Sequence, residues 1–421
     1  MKYILLSSLL SISLIAQSQS EIDSWMLNTT GTLGSYDDGS STTTMTDSAD
    51  VLQVCYSSST VYIRAEGLPA YQAGPWAGNP NVPSAQGYTF MFPRTPQQES
   101  GTKTGTPIVG PEAVAVNGVV MYGYGDGKSY NPMNSMNEPM GAGVWNSDAW
   151  LSEGSSMDAT GAGHPDMNGN YHYHATPIQL YSDAGTAHSP IVGFAFDGFP
   201  IYGPFGYTSP MDNSSAIKRM VSGYELRSIT TRTTLPDGST ASSAGPTVGG
   251  GFPLGTYIED YKHLLNGDLD AYNGRSCVTP EYPTGTYAYF ITTDVSGNPA
   301  FPYILAGEYY GEVAASDVGP PAGNQTIPGG VTCATSSVQG VSIDYLLAVF
   351  PNPATDRLRV VRLNSAAIDF KMTDLAGKVV KAGALLSNET DIPLDELTTG
   401  FYFLNVRDGD RLVATTKIIV Q

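Results

Sequence analysis

Four of the five histidines in this 421-residue chain are His164, His172, His174 and His188, within twenty-five positions of one another. Neutral imidazole is the commonest protein metal ligand and a proton carrier near neutral pH, so the clustering of so scarce a residue marks a site. His172 and His174 sit two apart in Tyr171-His172-Tyr173-His174. On an extended strand alternate side chains share a face, which sends both imidazoles one way and both phenols the other. That spacing supplies two corners of a tetrahedral or tetragonal metal site, with His164 and His188 as candidates for the others. Imidazole takes copper and zinc alike, so the expected cofactor is one of these transition-metal ions. The competing reading puts the tyrosines in the core and the histidines on a solvated face, titrating near about pH 6.5 without further role. Asp197-Gly198, between two apolar runs, reads as a tight turn that projects its carboxylate toward the histidines. There it is a metal ligand, a partner that orients an imidazole, or a general base; capping the turn is the alternative.

The elements that must hold these residues are strands. Val51-Leu-Gln-Val-Cys55, Thr60-Val-Tyr-Ile-Arg64, Ala113-Val-Ala-Val-Asn117 and Thr286-Tyr-Ala-Tyr-Phe290 are short, β-branched or aromatic, and bounded by Gly, Pro, Asn and Ser. With 41% hydrophobic and 14% charged residues and 47 glycines, the chain has material for a core but not for long amphipathic helices. The expected fold class is mainly β: a large loop-rich β domain followed by a small C-terminal β-sandwich. Asp166-Met167-Asn168-Gly169-Asn170 has the oxygen donors that open a calcium loop, but glycine stands fourth rather than sixth and Pro177 occupies the twelfth place. A polar hairpin turn is the preferred reading there. Asp268, Asp270 and Asn273 form a second acidic loop for which calcium is the lesser reading.

Two motif groups carry a family resemblance. The first is Gly163-His164-Pro165-Asp166, Gly169-Asn170-Tyr171-His172-Tyr173-His174, His188, and Gly193 to Pro204 around Asp197. The second is Asp268-Leu-Asp270, Asn273-Gly274-Arg275 and Pro280-Glu281-Tyr282-Pro283 through Phe290. In order and spacing the chain resembles the YHYH protein family, and residues 21–317 are assigned to that domain. The resemblance implies membership and no particular reaction. Thr160 and Tyr272 stand where relatives often have cysteine; if those thiols pair in relatives, the pocket here is less stapled.

Net charge is −19, and residues 21 to 341 hold 10 basic against 29 acidic residues. Such a surface repels nucleic acid and anionic lipid, so nucleic acid is excluded as a partner. Met1 to Ala16 pairs one lysine with a short apolar run before small residues, which predicts a signal peptide over residues 1–18 and export. No later run is long enough for a membrane helix, and the mature chain is not expected to be transmembrane. Residues 318–341, rich in Gly, Pro, Ser and Thr, read as a linker. Residues 342–421, with Pro351-Asn352-Pro353, Gly377-Lys378 and Thr399-Gly400-Phe-Tyr402, resemble the type A sorting domain of the type IX secretion system. That likeness implies a bacterium of the Bacteroidota kind, the type IX machinery as partner, and release or surface attachment. Among Cys55, Cys277 and Cys333, a Cys277–Cys333 disulfide is the expected pair, tying the linker to the domain.

Two functions follow. In one, a secreted or surface protein holds copper or zinc through its histidines. In the other, a non-catalytic module binds an extracellular glycan or matrix, its 26 tyrosines and 4 tryptophans supplying stacking surfaces, and the histidines are structural; an extracellular glycan or a small-molecule ligand is the expected partner.

Overall fold

The computed structural model describes residues 19–139, 141–314, 318–319, 321–334 and 347–420, the last apart from 351–353, 363–367, 375–377, 386, 388 and 409–410. The expected signal peptide, and residues 320 and 335–341 of the expected linker, lie outside the described residues. Strands dominate, as the short β-branched runs require. The centre is an eight-stranded sheet. Its strands, in chain order, are β1 (Pro111–Ala115), β2 (Val120–Tyr122), β3 (Gly163–Pro165), β4 (Tyr171–Tyr173), β5 (Ile191–Ala195), β6 (Pro200–Tyr202), β7 (Gly274–Cys277) and β8 (Thr286–Phe290). They lie in the order β3-β4-β2-β1-β5-β6-β8-β7.

That order reads the same from either edge. Each half is a hairpin followed by a second hairpin, whose last strand pairs in parallel with the last strand of the first: β4 on β2, β8 on β6. At the centre β1 and β5 run antiparallel, with Val114 opposite Phe194. Both first hairpins carry a bulge at the matching place, after Pro111 and after Ile191. Val114-Ala-Val-Asn117-Gly118 and Phe194-Ala-Phe-Asp197-Gly198 are the matching turns. Both glycines have positive φ and need it: a Cβ at Gly118 would meet Ala65, and one at Gly198 would meet Pro93. The large sheet is therefore two copies of one four-stranded unit joined back to back.

A four-stranded sheet packs across the join, in the order Thr332–Cys333, Val51–Tyr56, Thr60–Ala65, Tyr88–Pro93. Phe90 and Phe92 stack on Phe196, and Trp25 packs on Phe92 and Phe194. These rings form the middle of a single apolar core. The expected Cys277–Cys333 disulfide is corrected: Cys333 bonds to Cys55, while Cys277 is a buried free thiol. Thr332–Cys333 adds to the edge of Val51–Tyr56 with Cys333 directly opposite Cys55, whereas Cys277 ends β7 at the far edge of the other sheet. The C-terminal unit is a β-sandwich of a three-stranded and a four-stranded sheet around Leu358, Val360, Met372, Leu404 and Ile418.

Candidate functional site

Hairpin β3–β4 builds the site. Its register sets His164 directly opposite His172, and His174 follows one residue after β4 ends. The three rings converge: they are 6%, 3% and 3% exposed, and one nitrogen of each lies within 4.8 Å of the others. His172 Nε2 and His174 Nε2 are 3.1 Å apart. Tyr122, at the end of β2, stacks on His172 with ring centroids 4.1 Å apart.

Each ring is held at its other nitrogen. His172 Nδ1 donates to Asn170 O at 2.9 Å, and His174 Nδ1 to Gly123 O at 2.7 Å. Carbonyl oxygens only accept, so both Nδ1 atoms carry hydrogen. Ser156 Oγ spends its hydrogen on Glu153 O at 2.7 Å and accepts from His164 Nδ1 at 2.9 Å. All three Nε2 atoms thus turn bare lone pairs toward one point. Burial drives the His172 pKa well below its ordinary value, and the neighbouring His174 and His164 add to the effect.

A fourth group completes the cluster. Glu153 Oε2 lies 3.5 Å from His164 Nε2 and 3.4 Å from His174 Nε2. Burial pushes this carboxyl up, but positive charge on His164 and His174, carried when the rings are protonated, outweighs it and holds the group below its usual range. Glu153 is the last residue of the helix Ala149–Glu153, whose N-cap Asp148 accepts from Leu151 N at 2.9 Å and from the Tyr303 hydroxyl. Sequence reasoning misses Glu153, because it stands eleven positions before His164 on a different element and no spacing ties it to the imidazoles. The four groups open onto a cleft of about 360 Å³ that Asn79, Asn81, Asp126 and Asp166 also line.

The alternation expected for Tyr171 to His174 is present, but both faces are buried. On the phenol side, Tyr171 donates to Asp158, Tyr71 lies within hydrogen-bond distance of both Tyr171 and Tyr173, and Asn117 Nδ2 donates to Tyr173 Oη at 3.0 Å. The second half repeats this side: Tyr287 donates to Asp270, and Tyr289 to Asp197 at 2.6 Å. Registers equate His164, His172 and His174 with Arg275, Ala288 and Phe290. Only the first copy has imidazoles at these three positions.

This repeat explains the two residues that the structure does not bring to the cluster. Asp197 is the counterpart of Asn117; its carboxylate accepts from Tyr289, Gly311 N and Phe199 N. It caps its own turn in the second half. His188 precedes β5 and packs against Tyr202, Tyr207 and Phe290; burial lowers its pKa. Asp166 takes hydrogen bonds from Asn168 N, Asn170 N and Asn170 Nδ2, forming the polar turn. In the other acidic loop Lys218 pairs with Asp268, and Asp270 accepts from Tyr272 N and Gly274 N.

Burial raises a set of carboxyls, among them Asp148 and Asp197 to about 6 and Asp50 and Glu259 to about 7. Their folded values exceed the unfolded ones, so the stability they contribute is complete below about pH 4 and is lost as pH rises through 6 to 7. His172 acts oppositely, its contribution being present above about pH 6.5 and lost on further acidification. In chelator the melting midpoint should therefore rise as pH falls from 8 to 6. A flat or inverted profile in differential scanning calorimetry would contradict the assigned burial.

Residues 89–305 match the model of the family described as YHYH protein, and residues 348–421 match that of the secretion system C-terminal sorting domain. No curated protein sequence matches the chain. Among solved structures it is similar to that of PorZ, an essential bacterial surface component of the type-IX secretion system of Porphyromonas gingivalis, at 12% identity. The alignment covers 86% of this chain and 50% of that one, with a TM-score of 0.17, too slight a likeness to carry an argument. The chain thus spans half the length of that protein. The sorting domain marks the protein for secretion to the cell surface or beyond.

Proposed function

The chain belongs to the YHYH protein family, and we propose that this exported protein binds one transition-metal ion, copper or zinc, through His164, His172, His174 and Glu153. One observation carries the reading: three bare imidazole lone pairs and a carboxylate face each other in a buried place. Without positive charge between them, His172 Nε2 and His174 Nε2 would repel at 3.1 Å. A proton relieves one contact at a time; an ion relieves all of them. Bonds of about 2.05 Å in a tetrahedral site set donor atoms roughly 3.3 Å apart. Three of the six donor separations, 3.1, 3.4 and 3.5 Å, support that fit, and the three imidazole nitrogens all lie within 4.8 Å of one another. Bracing of each Nδ1 by an acceptor is the outer shell that orients metal-binding histidines elsewhere. When bound, the ion would supply Lewis acidity; the residues hold and orient it.

Elemental analysis of protein purified without a His tag tests the proposal. One equivalent of zinc or copper is expected at neutral pH, released on acidification as protons take the imidazoles. Less than about a tenth of an equivalent after reconstitution would end it.

Glycan retention has one observation in its favour, a cleft of about 420 Å³ lined by Tyr124, Tyr224, Tyr261 and Phe301. Polysaccharide binding that survives chelation and is lost in Tyr224→Ala would favour that reading.

A further inference from the structure

We infer that Glu153 is the exchangeable position of the centre, giving way to a small neutral molecule that presents a nitrogen or oxygen lone pair from the cleft. The inference rests on the metal reading above. Its basis is the inequality of the four donors. Each imidazole is fixed at Nδ1 and almost wholly buried. The Glu153 side chain is 25% exposed, and among the described residues its carboxylate has no close polar neighbour besides His164 and His174. It also hangs from the last residue of a five-residue helix. A ligand with no outer partner costs least to move, since nothing beyond the ion orients it.

The cleft gives the chemical class of what enters. Asp126 and Asp166 stand in its wall beside Glu153, and no lysine or arginine lines it among the described residues. Lys128 offsets Asp126 at 3.2 Å, which leaves the wall net negative. With a divalent ion bound, Glu153 and Asp166 already balance its charge, so an anion finds no net attraction there and a neutral donor loses nothing by comparison.

The test uses the full chain loaded with one equivalent of Co(II), titrated with imidazole or with azide while the visible bands are recorded. If Glu153 holds its position for roughly nine-tenths of the time, Glu153→Gln and Glu153→Ala should each bind imidazole about tenfold more tightly than wild type, with cobalt retained. Azide should bind wild type more weakly than imidazole. Spectra indifferent to imidazole in wild type and in both variants, with cobalt still stoichiometric, overturn the inference. So does imidazole binding of equal strength in all three proteins. Failure of wild type to hold cobalt is a separate result: it removes the metal reading and this inference with it.

Discussion

Replacing His172 and His174 together by alanine should abolish stoichiometric metal binding and, with it, all stabilisation by metal. A ligand that binds only the folded state adds about 4 kcal/mol when present at a thousand times its dissociation constant. For a domain of this size that is roughly 8 °C in melting midpoint. Wild type should gain that increment on reconstitution and lose it to chelator; the double variant should show neither change. His188→Ala and Asp197→Asn are the controls. Both residues were candidates by sequence, yet one packs against Tyr202 and Phe290 and the other caps a turn under Tyr289. Each should keep one equivalent of metal. Loss of metal in either control, or its retention in the double variant, would show that the ligand set is wrong.

Arg232→Ala should destabilise the protein by about 3–5 kcal/mol, the usual result of stranding one partner of a buried ion pair. Arg232 and Asp260 are both fully buried and joined by two hydrogen bonds of 2.7 Å. The guanidinium also donates to the carbonyls of Pro246, Phe252 and Pro253 and lies over the Tyr257 ring. One side chain thereby closes the loops around Trp145, Tyr130 and Tyr257. Next to it, Glu259 grips Asn146, at the start of the strand that leads into the helix bearing Glu153. Lysine should not rescue the variant, since it lacks the planar fork that serves five acceptors. Urea unfolding followed by tryptophan fluorescence reads the loss; a change below about 1 kcal/mol would mean that the pair is not buried as described.

Local pattern made part of the site readable. A two-residue period on a strand puts His172 and His174 on one side, and the polar turn at Asp166 to Asn170 brings His164 back opposite them. The internal repeat was also written in the chain, since Asn117-Gly118 with Met121-Tyr122 recurs eighty residues later as Asp197-Gly198 with Ile201-Tyr202. Its meaning was hidden, because which face and which half a turn serves depends on strand pairing. Asp197 looked like a neighbour of the histidines for that reason. Cys277 and Glu153 were misjudged or missed on similar grounds: their partners are set by contacts between remote segments.

The sequence by itself determined a β protein, an exported acidic body with a sorting tail, and a strand carrying His172 and His174 on one face after a polar turn. Those are properties of composition and of neighbours within about ten residues, where backbone geometry leaves few choices. Tertiary structure alone decided that the rings are buried, that Glu153 joins them, and that the second copy presents Arg275, Ala288 and Phe290 instead. The reason is that long-range strand order is selected by burial of the whole core, a collective quantity that no short stretch of residues encodes.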